Sequence, residues 1–166
     1  MKETPFLQDQ DNIFDKLKKV AFLRSFKKDY LTIVITNSKI RQYEAGEMII
    51  PEGSYDKWVY VILFGEVKVM KKGEEIARMH DTGDIFGELA MINNETRSAS
   101  VYATQKSYCL AIDISSFNDL EEVDRNAIYS IIYRIFAELL ARRLKETTNE
   151  LARLQDELSF FQKCSH

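Results

Sequence analysis

The six glycines of this 166-residue chain are confined to positions 46–87. Glycine at such spacing punctuates short strands, because it accepts the backbone conformations that tight turns require. The segments between and after the glycines are short and rich in apolar residues, which predicts strands at 48–50, 58–63, 66–70, 75–79, 98–103 and 107–112. Many short strands separated by turns indicate a jelly-roll barrel, also called a double-stranded β-helix.

Helices are expected on both sides of these strands. Residues 11–38 carry apolar side chains at helical spacing, among them Ile13, Leu17 and Val20. After the strands, Ser115 is placed to cap a short helix and Asp124 a long one. We therefore predict a mainly β fold with flanking helices: a helical segment at 1–38, the barrel at 39–114, and a hinge helix with a long dimerisation helix at 115–166.

The last predicted helix is longer than one small domain needs to cover itself, since residues 126–162 contain neither glycine nor proline. Along it, positions three and four residues apart form a heptad seam: Ala137, Leu140, Leu144, Thr147, Leu151, Leu154, Leu158 and Phe161. Such a seam is typical of a coiled coil. Because the chain has only one such helix, the simplest partner is a second copy in a parallel homodimer.

Composition excludes several classes of function. The formal net charge is −3 and no dense basic cluster occurs, so non-specific nucleic-acid binding is not indicated. No apolar run has membrane-spanning length and the N-terminus lacks a signal-peptide core, which predicts a cytoplasmic protein without membrane contact. Two distant cysteines and two histidines predict neither a disulfide framework nor a metal site, and Cys109 is expected to be a buried thiol. No catalytic constellation is found, so we do not expect an enzyme.

Residues 86–101, with the sequence FGELAMINNETRSASV, combine groups that suit a nucleotide. Gly87 lets the backbone come close to a ligand, and the N–H groups that open a short helix after it suit an anion. Arg97 adds a planar fork of donors that fits two phosphate oxygens. Glu88 is an acceptor only, so beside a phosphate it would take hydrogen bonds from sugar hydroxyls. A ligand that presents a phosphate beside a ribose is a nucleotide, so the segment predicts a nucleotide-binding site.

This segment closely resembles the phosphate-binding cassette of the cyclic-nucleotide-binding domain family. The family pattern, F-G-E-L-A, a short loop and R-x-A-x-V, fits residues 86–101 without a gap, and the resemblance extends over roughly residues 14–155. Thr96 departs from the family pattern, which often has proline at this position. The resemblance implies that Arg97 binds the cyclic phosphate and Glu88 the ribose 2′-hydroxyl. The other cassette residues of the predicted ligand site are Gly87, Leu89, Ala90, Ser98 and Ala99.

Residues 140–151 resemble the dimer helix of the bacterial cyclic-AMP receptor proteins. In that family, two adjacent hydroxyl residues at this place contact the adenine amino group, one of them from the partner subunit. The resemblance implies that Thr147 and Thr148 read the base, which favours cyclic AMP over cyclic GMP. The alternative is that Thr147 is a polar layer that fixes the register of the coiled coil. Ser98 does not distinguish cyclic AMP from cyclic GMP.

Together these features predict a regulatory protein that senses a cyclic nucleotide and signals through its dimer helix to an unidentified downstream protein. The nucleotide, with cyclic AMP favoured, is a regulatory ligand rather than a substrate. Only five residues follow Phe161, too few for a DNA-reading element, so no DNA contact from this chain is expected. Two alternatives stay open: the sensor part of a longer Crp-type transcription regulator, and a ligand-free dimerisation module of the same fold.

Overall fold

Nine strands occur in the computed structural model, which describes residues 2–5 and 20–164. They are β1 Lys2–Pro5, β2 Ser38–Tyr43, β3 Met48–Ile50, β4 Trp58–Phe64, β5 Val67–Lys71, β6 Glu74–Met79, β7 Ile85–Phe86, β8 Ser100–Ala103 and β9 Ser107–Asp113. The six predicted strands are all present, with ends that differ by at most two residues. Glycine-rich turns and apolar runs were therefore sufficient to locate them.

Three strands were not predicted, and each lacks a strong local pattern. β2 reads SKIRQY, in which polar residues outnumber apolar ones, and β7 has only two residues. β1 lies inside the segment 1–38 that we expected to be helical, so that prediction is wrong at Lys2–Pro5. Pairing with β2 makes these four residues extended, because the ladder satisfies their backbone groups. Ile13 and Leu17 lie outside the described residues.

The strands form two sheets rather than a closed barrel. The first has the order β1-β2-β9-β4-β7 and the second the order β3-β8-β5-β6. All pairs are antiparallel. In the described residues no ladder joins the two sheets, and this corrects the predicted barrel closure. What holds the sheets together is side-chain packing, because a cluster of buried residues draws on both.

This shared core explains why β4 is apolar on both faces. Residues 59–63 of β4 are all buried, so one face contributes to the cluster between the sheets and the other is covered as well. The turn after β4 is constrained by packing. A Cβ on Gly65, whose φ is +100°, would lie 2.6 Å from the Ser107 Cα. Only glycine fits there.

Helices precede, interrupt and follow the strands. They are α1 Ala21–Arg24, α2 Lys28–Thr36, α3 Glu88–Asn93, a 3-10 helix Ile114–Asp119 and α4 Glu122–Cys164. The predicted caps of the last two lie too late in the chain. Asp113 caps the 3-10 helix, because its carboxylate accepts from the Ser115 N–H at 3.0 Å. α4 begins at Glu122, so Asp124 lies in its first turn.

The chain divides into two compact units, residues 1–128 and residues 129–166. The second unit contains most of α4. Four leucines of the predicted seam, at 144, 151, 154 and 158, are 44–69% exposed, and Thr147 is exposed as well. None of the described helices combines the length and the apolar composition that a membrane span requires.

The thiol of Cys109 in β9 is buried, as predicted, and its exposed fraction is 0%. Burial raises the pKa of this thiol to about 12.

A thiol-reactivity assay tests the burial of Cys109 once the other cysteine has been replaced. Since thiolate is the reactive form, we expect the folded Cys164→Ser variant to resist a chromogenic disulfide reagent at mildly alkaline pH. Adding denaturant should release one equivalent of chromophore. Rapid reaction of the folded variant would contradict the placement of Cys109.

Candidate functional site

Gly87 connects β7 to α3 and lies at the centre of the predicted cassette. Its φ is +86°, in the left-handed region that favours glycine. A Cβ at this position would lie 2.8 Å from Arg97 Nη1 and 3.1 Å from the Trp58 carbonyl oxygen. Conformation and space therefore both require glycine here. The space beside Gly87 is occupied by Arg97 and Trp58, and the role of Gly87 in letting a ligand approach stays a prediction.

Arg97 is buried beside Gly87, with only 2% of its side chain exposed. Its Nη1 donates to the Gly87 carbonyl at 2.6 Å, and its Nη2 donates to the Trp58 carbonyl at 2.6 Å. Nε donates to Asp56 Oδ2 at 3.1 Å, and Nη2 also donates to Asp56 Oδ1. These bonds engage four of the five guanidinium N–H groups. The fifth, on Nη1, has no acceptor among the described residues.

Asp56 is the partner of Arg97 that the sequence analysis missed. It meets the Nε–Nη2 edge of Arg97 in a bidentate ion pair, the arrangement that we had expected Arg97 to offer to a phosphate. A buried arginine needs an anionic or carbonyl partner, and this requirement was the available signal. Nothing in the sequence, however, selects Asp56 from 26 acidic residues.

The charge state of Asp56 follows from these contacts. Burial by itself would raise the pKa of this carboxyl. Hydrogen bonds from Arg97 and from the Trp58 amide, together with the charges of Arg97 and Arg41, outweigh burial and hold the pKa below its usual value. Asp56 is therefore ionised at neutral pH, and it forms a neutral pair with Arg97.

The loop that carries Asp56 is attached to the cassette at three further points. The Gly53 N–H donates to the Arg97 carbonyl at 2.8 Å, and the Arg97 N–H donates to the Ser54 carbonyl at 2.8 Å. The Tyr55 hydroxyl donates to Asn94 Oδ1 at 2.9 Å, at the end of α3. The position of Asp56 relative to Arg97 is thus supported by the backbone as well as by the ion pair.

The remaining predicted residues divide into two groups. Glu88 begins α3 directly after Gly87 and is only 2% exposed. Leu89 is 42% exposed. Ala90 and Ala99 are half-buried, whereas Ser98 is exposed. The structure therefore buries Glu88 and Arg97, places half-buried Gly87 in contact with Arg97, and leaves Leu89 and Ser98 at the surface.

Thr147 and Thr148 lie on exposed positions of α4, in the second unit of the chain. The Thr148 hydroxyl donates to the Leu144 carbonyl at 2.8 Å, within its own helix. This bond leaves the hydroxyl oxygen able to accept another. The base-reading role of the two threonines stays a prediction.

The chain resembles proteins of known name over most of its length. It is 32% identical over 108 residues to human cGMP-dependent protein kinase 2, covering 61% of this chain and 14% of the kinase. It is 33% identical over 106 residues to the cAMP-dependent protein kinase regulatory subunit of Eremothecium gossypii, covering 64% of this chain and 23% of that subunit. The chain therefore spans less than a quarter of the length of either relative.

A solved structure of PKAR CBD2 bound to Sp-2Cl-cAMPS superimposes with a TM-score of 0.61 at 28% identity, covering 83% of this chain and 88% of that one. The sequence profile of the cyclic nucleotide-binding domain family matches residues 40–124, more than half of the chain. That match includes the whole cassette and the loop that carries Asp56. The chain belongs to the cyclic nucleotide-binding domain family.

Proposed function

We propose that this protein is a regulator that senses a cyclic nucleotide, prefers cyclic AMP to cyclic GMP, and signals through a dimer of α4. The observation that carries the binding part is the burial of Arg97 against Gly87 and Asp56 inside the cassette. Two relatives that are named for their dependence on cyclic nucleotides support the ligand class. The nucleotide acts as a signal, since this arrangement offers donors and acceptors but no nucleophile with a base.

Arg97 and Glu88 divide the recognition of the ligand between them. The N–H of Arg97 Nη1 that lacks a protein acceptor donates to a phosphate oxygen, and Asp56 holds the guanidinium in place meanwhile. Gly87 keeps this guanidinium in place, because any side chain there would displace Nη1 of Arg97, which lies 2.8 Å from the Cβ position. Glu88, buried next to Gly87, accepts from the ribose 2′-hydroxyl. Leu89, Ala90, Ser98 and Ala99 complete the ligand site.

In this proposal the signal of ligand binding is transmitted through a dimer of α4. The seam leucines of α4 are 44–69% exposed, so they can be covered by a second copy of the same helix. In such a dimer Thr147 and Thr148 read the adenine amino group, which sets the preference for cyclic AMP. The ligand can shift the protein between two arrangements only through a difference in its affinity for them. A protein outside this chain receives the signal.

Two other functions are separated from this one by simple measurements. A ligand-free dimerisation module would keep its dimer and bind neither cyclic AMP nor cyclic GMP in a calorimetric titration. A sensor that is part of a longer regulator would bind the nucleotide in the same way, and the surrounding open reading frame would show the additional domain.

The first prediction from the proposed function concerns Arg97. Replacing it with alanine should weaken the binding of cyclic AMP by about 2–4 kcal/mol, or roughly thirty- to a thousandfold, because a charge-assisted contact to the phosphate is lost. Arg97→Lys should recover little, since an ammonium cannot reproduce the fork that holds Asp56 and the ligand together. Isothermal titration calorimetry measures both affinities.

Arg78→Ala is the matched control, because Arg78 is a half-exposed arginine that pairs with Glu66 and Glu75 on the second sheet. It should bind cyclic AMP as the wild type does. Thermal melts of each variant distinguish loss of the contact from loss of the fold. If folded Arg97→Ala binds as tightly as the wild type, Arg97 does not hold the phosphate.

The second prediction concerns Glu88 and depends on two ligands. Glu88→Gln should weaken binding of cyclic AMP much more than binding of its 2′-deoxy analogue, because the analogue has no 2′-hydroxyl to donate. Competition against a fluorescent cyclic nucleotide gives both affinities in one assay. Equal losses for the two ligands would mean that Glu88 only supports α3.

The third prediction concerns α4. The double change Leu151→Glu, Leu154→Glu should convert the dimer to a monomer, because each leucine buries an apolar side chain worth roughly 2 kcal/mol. Sedimentation velocity measures the change in mass. Asn149→Glu, which adds a charge on the opposite face of the same helix, is the control and should remain dimeric.

The same helix allows a test of base recognition. Thr147→Ala, Thr148→Ala should keep the dimer but reduce the preference for cyclic AMP over cyclic GMP by about 1–2 kcal/mol, the value of the lost hydrogen bonds. A polar layer that only fixes the register would leave this ratio untouched. A persistent dimer with an unchanged ratio would therefore exclude base reading by the threonines.

A further inference from the structure

Arg41 reaches across the first sheet toward the candidate site. It lies in β2, which is separated from β4 by β9, yet its Nη1 donates to the Tyr60 hydroxyl in β4 at 2.8 Å. The residues of β9 that it crosses are small, since Cys109 pairs with Arg41 and Ala111 pairs with Tyr60. Small side chains on the middle strand leave room for a long one from its neighbour.

The guanidinium of Arg41 lies on the ring of Trp58, with its central carbon 4.1 Å from the ring centroid. This distance is typical of a cation–π contact. The backbone of Trp58 in turn contacts both members of the buried ion pair. Its N–H donates to Asp56 Oδ1 at 3.0 Å, and its carbonyl accepts from Arg97 Nη2 at 2.6 Å. Whatever fixes Trp58 therefore also fixes the acceptors that hold Arg97.

The charge of Arg41 matters because Arg97 is already neutralised. An anionic phosphate that approaches the Arg97–Asp56 pair meets a net charge of zero, so the attraction of Arg97 is largely offset by the repulsion of Asp56. A second cation near the pair adds to the positive potential that the phosphate meets. Burial raises the pKa of Asp56, and Arg41 is among the charges that lower it, so the field of Arg41 reaches the pair.

We propose that Arg41 is a positioning residue for the nucleotide phosphate: it clamps Trp58 and supplies the positive charge that the Arg97–Asp56 pair lacks. The inference rests on the proposed function, because it assumes that a cyclic nucleotide binds at Arg97. It goes beyond the cassette, since Arg41 lies outside residues 86–101 and belongs to a strand that does not pair with β4 or β7.

The test uses the full chain and cyclic AMP as the probe. Arg41→Gln keeps a hydrogen-bonding side chain and removes the charge, and it should weaken binding about tenfold. Arg41→Lys keeps the charge and should recover most of this loss. Lys106→Gln is the matched control, because it removes an exposed cation that lies over the ring of Tyr108, 5.7 Å from its centroid, and not over Trp58. It should change affinity by no more than about twofold.

The tryptophan provides a second readout that does not depend on any variant. Trp58 is the only tryptophan of the chain, so its emission reports on the clamp directly. Saturating the wild type with cyclic AMP should change the emission of Trp58, since the phosphate shares Arg97 with the Trp58 carbonyl. An unchanged emission at saturation, as established by calorimetry, would overturn the clamp.

The other outcomes separate this inference from the proposed function. If wild type binds, Arg97→Ala loses binding and Arg41→Gln keeps it, the role of Arg41 is overturned and the proposed function stands. Equal losses in Arg41→Gln and Arg41→Lys, with lower melting temperatures in both, would reduce Arg41 to a packing residue and also overturn it. A folded wild type that binds no cyclic nucleotide would overturn both proposals.

Discussion

The buried guanidinium of Arg97 is the interaction on which the arrangement of the candidate site depends. Removing an arginine from water costs several kcal/mol unless its donors are paired, so the surrounding chain must supply acceptors. It does so with the carboxylate of Asp56, 41 residues earlier, and with the carbonyls of Trp58 and Gly87. One side chain thus connects the loop before β4, β4 itself and the start of α3. Truncating either member of the Arg97–Asp56 pair would leave the other without its partner charge.

This arrangement has consequences for ligand binding. A guanidinium that is already held by the protein loses little conformational freedom when a phosphate arrives, which favours binding. The cost of the same arrangement is electrostatic, because Asp56 offsets the charge that would attract the phosphate. In the proposed role of Arg41, its contact with Trp58 places a second positive charge where it would reduce that cost. Specific anion binding in this family member would then depend on three charged side chains, of which only Arg97 belongs to the cassette.

Different parts of the protein were predictable to different degrees. The six strands between and after the glycines carry their own pattern of apolar runs and turns, so they could be located without tertiary information. β2 and β7 could not be located in this way. β2 has mixed polarity and β7 has only two residues, so each is recognised as a strand only by its pairing with a neighbouring strand. The cassette was recognisable because its residues are contiguous. Gly87, Glu88 and Arg97 do lie together in the structure, although the fork of Arg97 engages Asp56.

The sequence by itself determined the properties that depend on near neighbours along the chain: the positions of six strands, the cassette and the uninterrupted length of α4. Only the tertiary structure decided which carboxylate pairs with Arg97, that the strands form two sheets without a shared ladder, and that Arg41 lies over Trp58. The physical reason is that a pattern in sequence records local conformation and burial. An ion pair or a stacking contact depends instead on distance in space, and sheet order brings together residues that no sequence period relates.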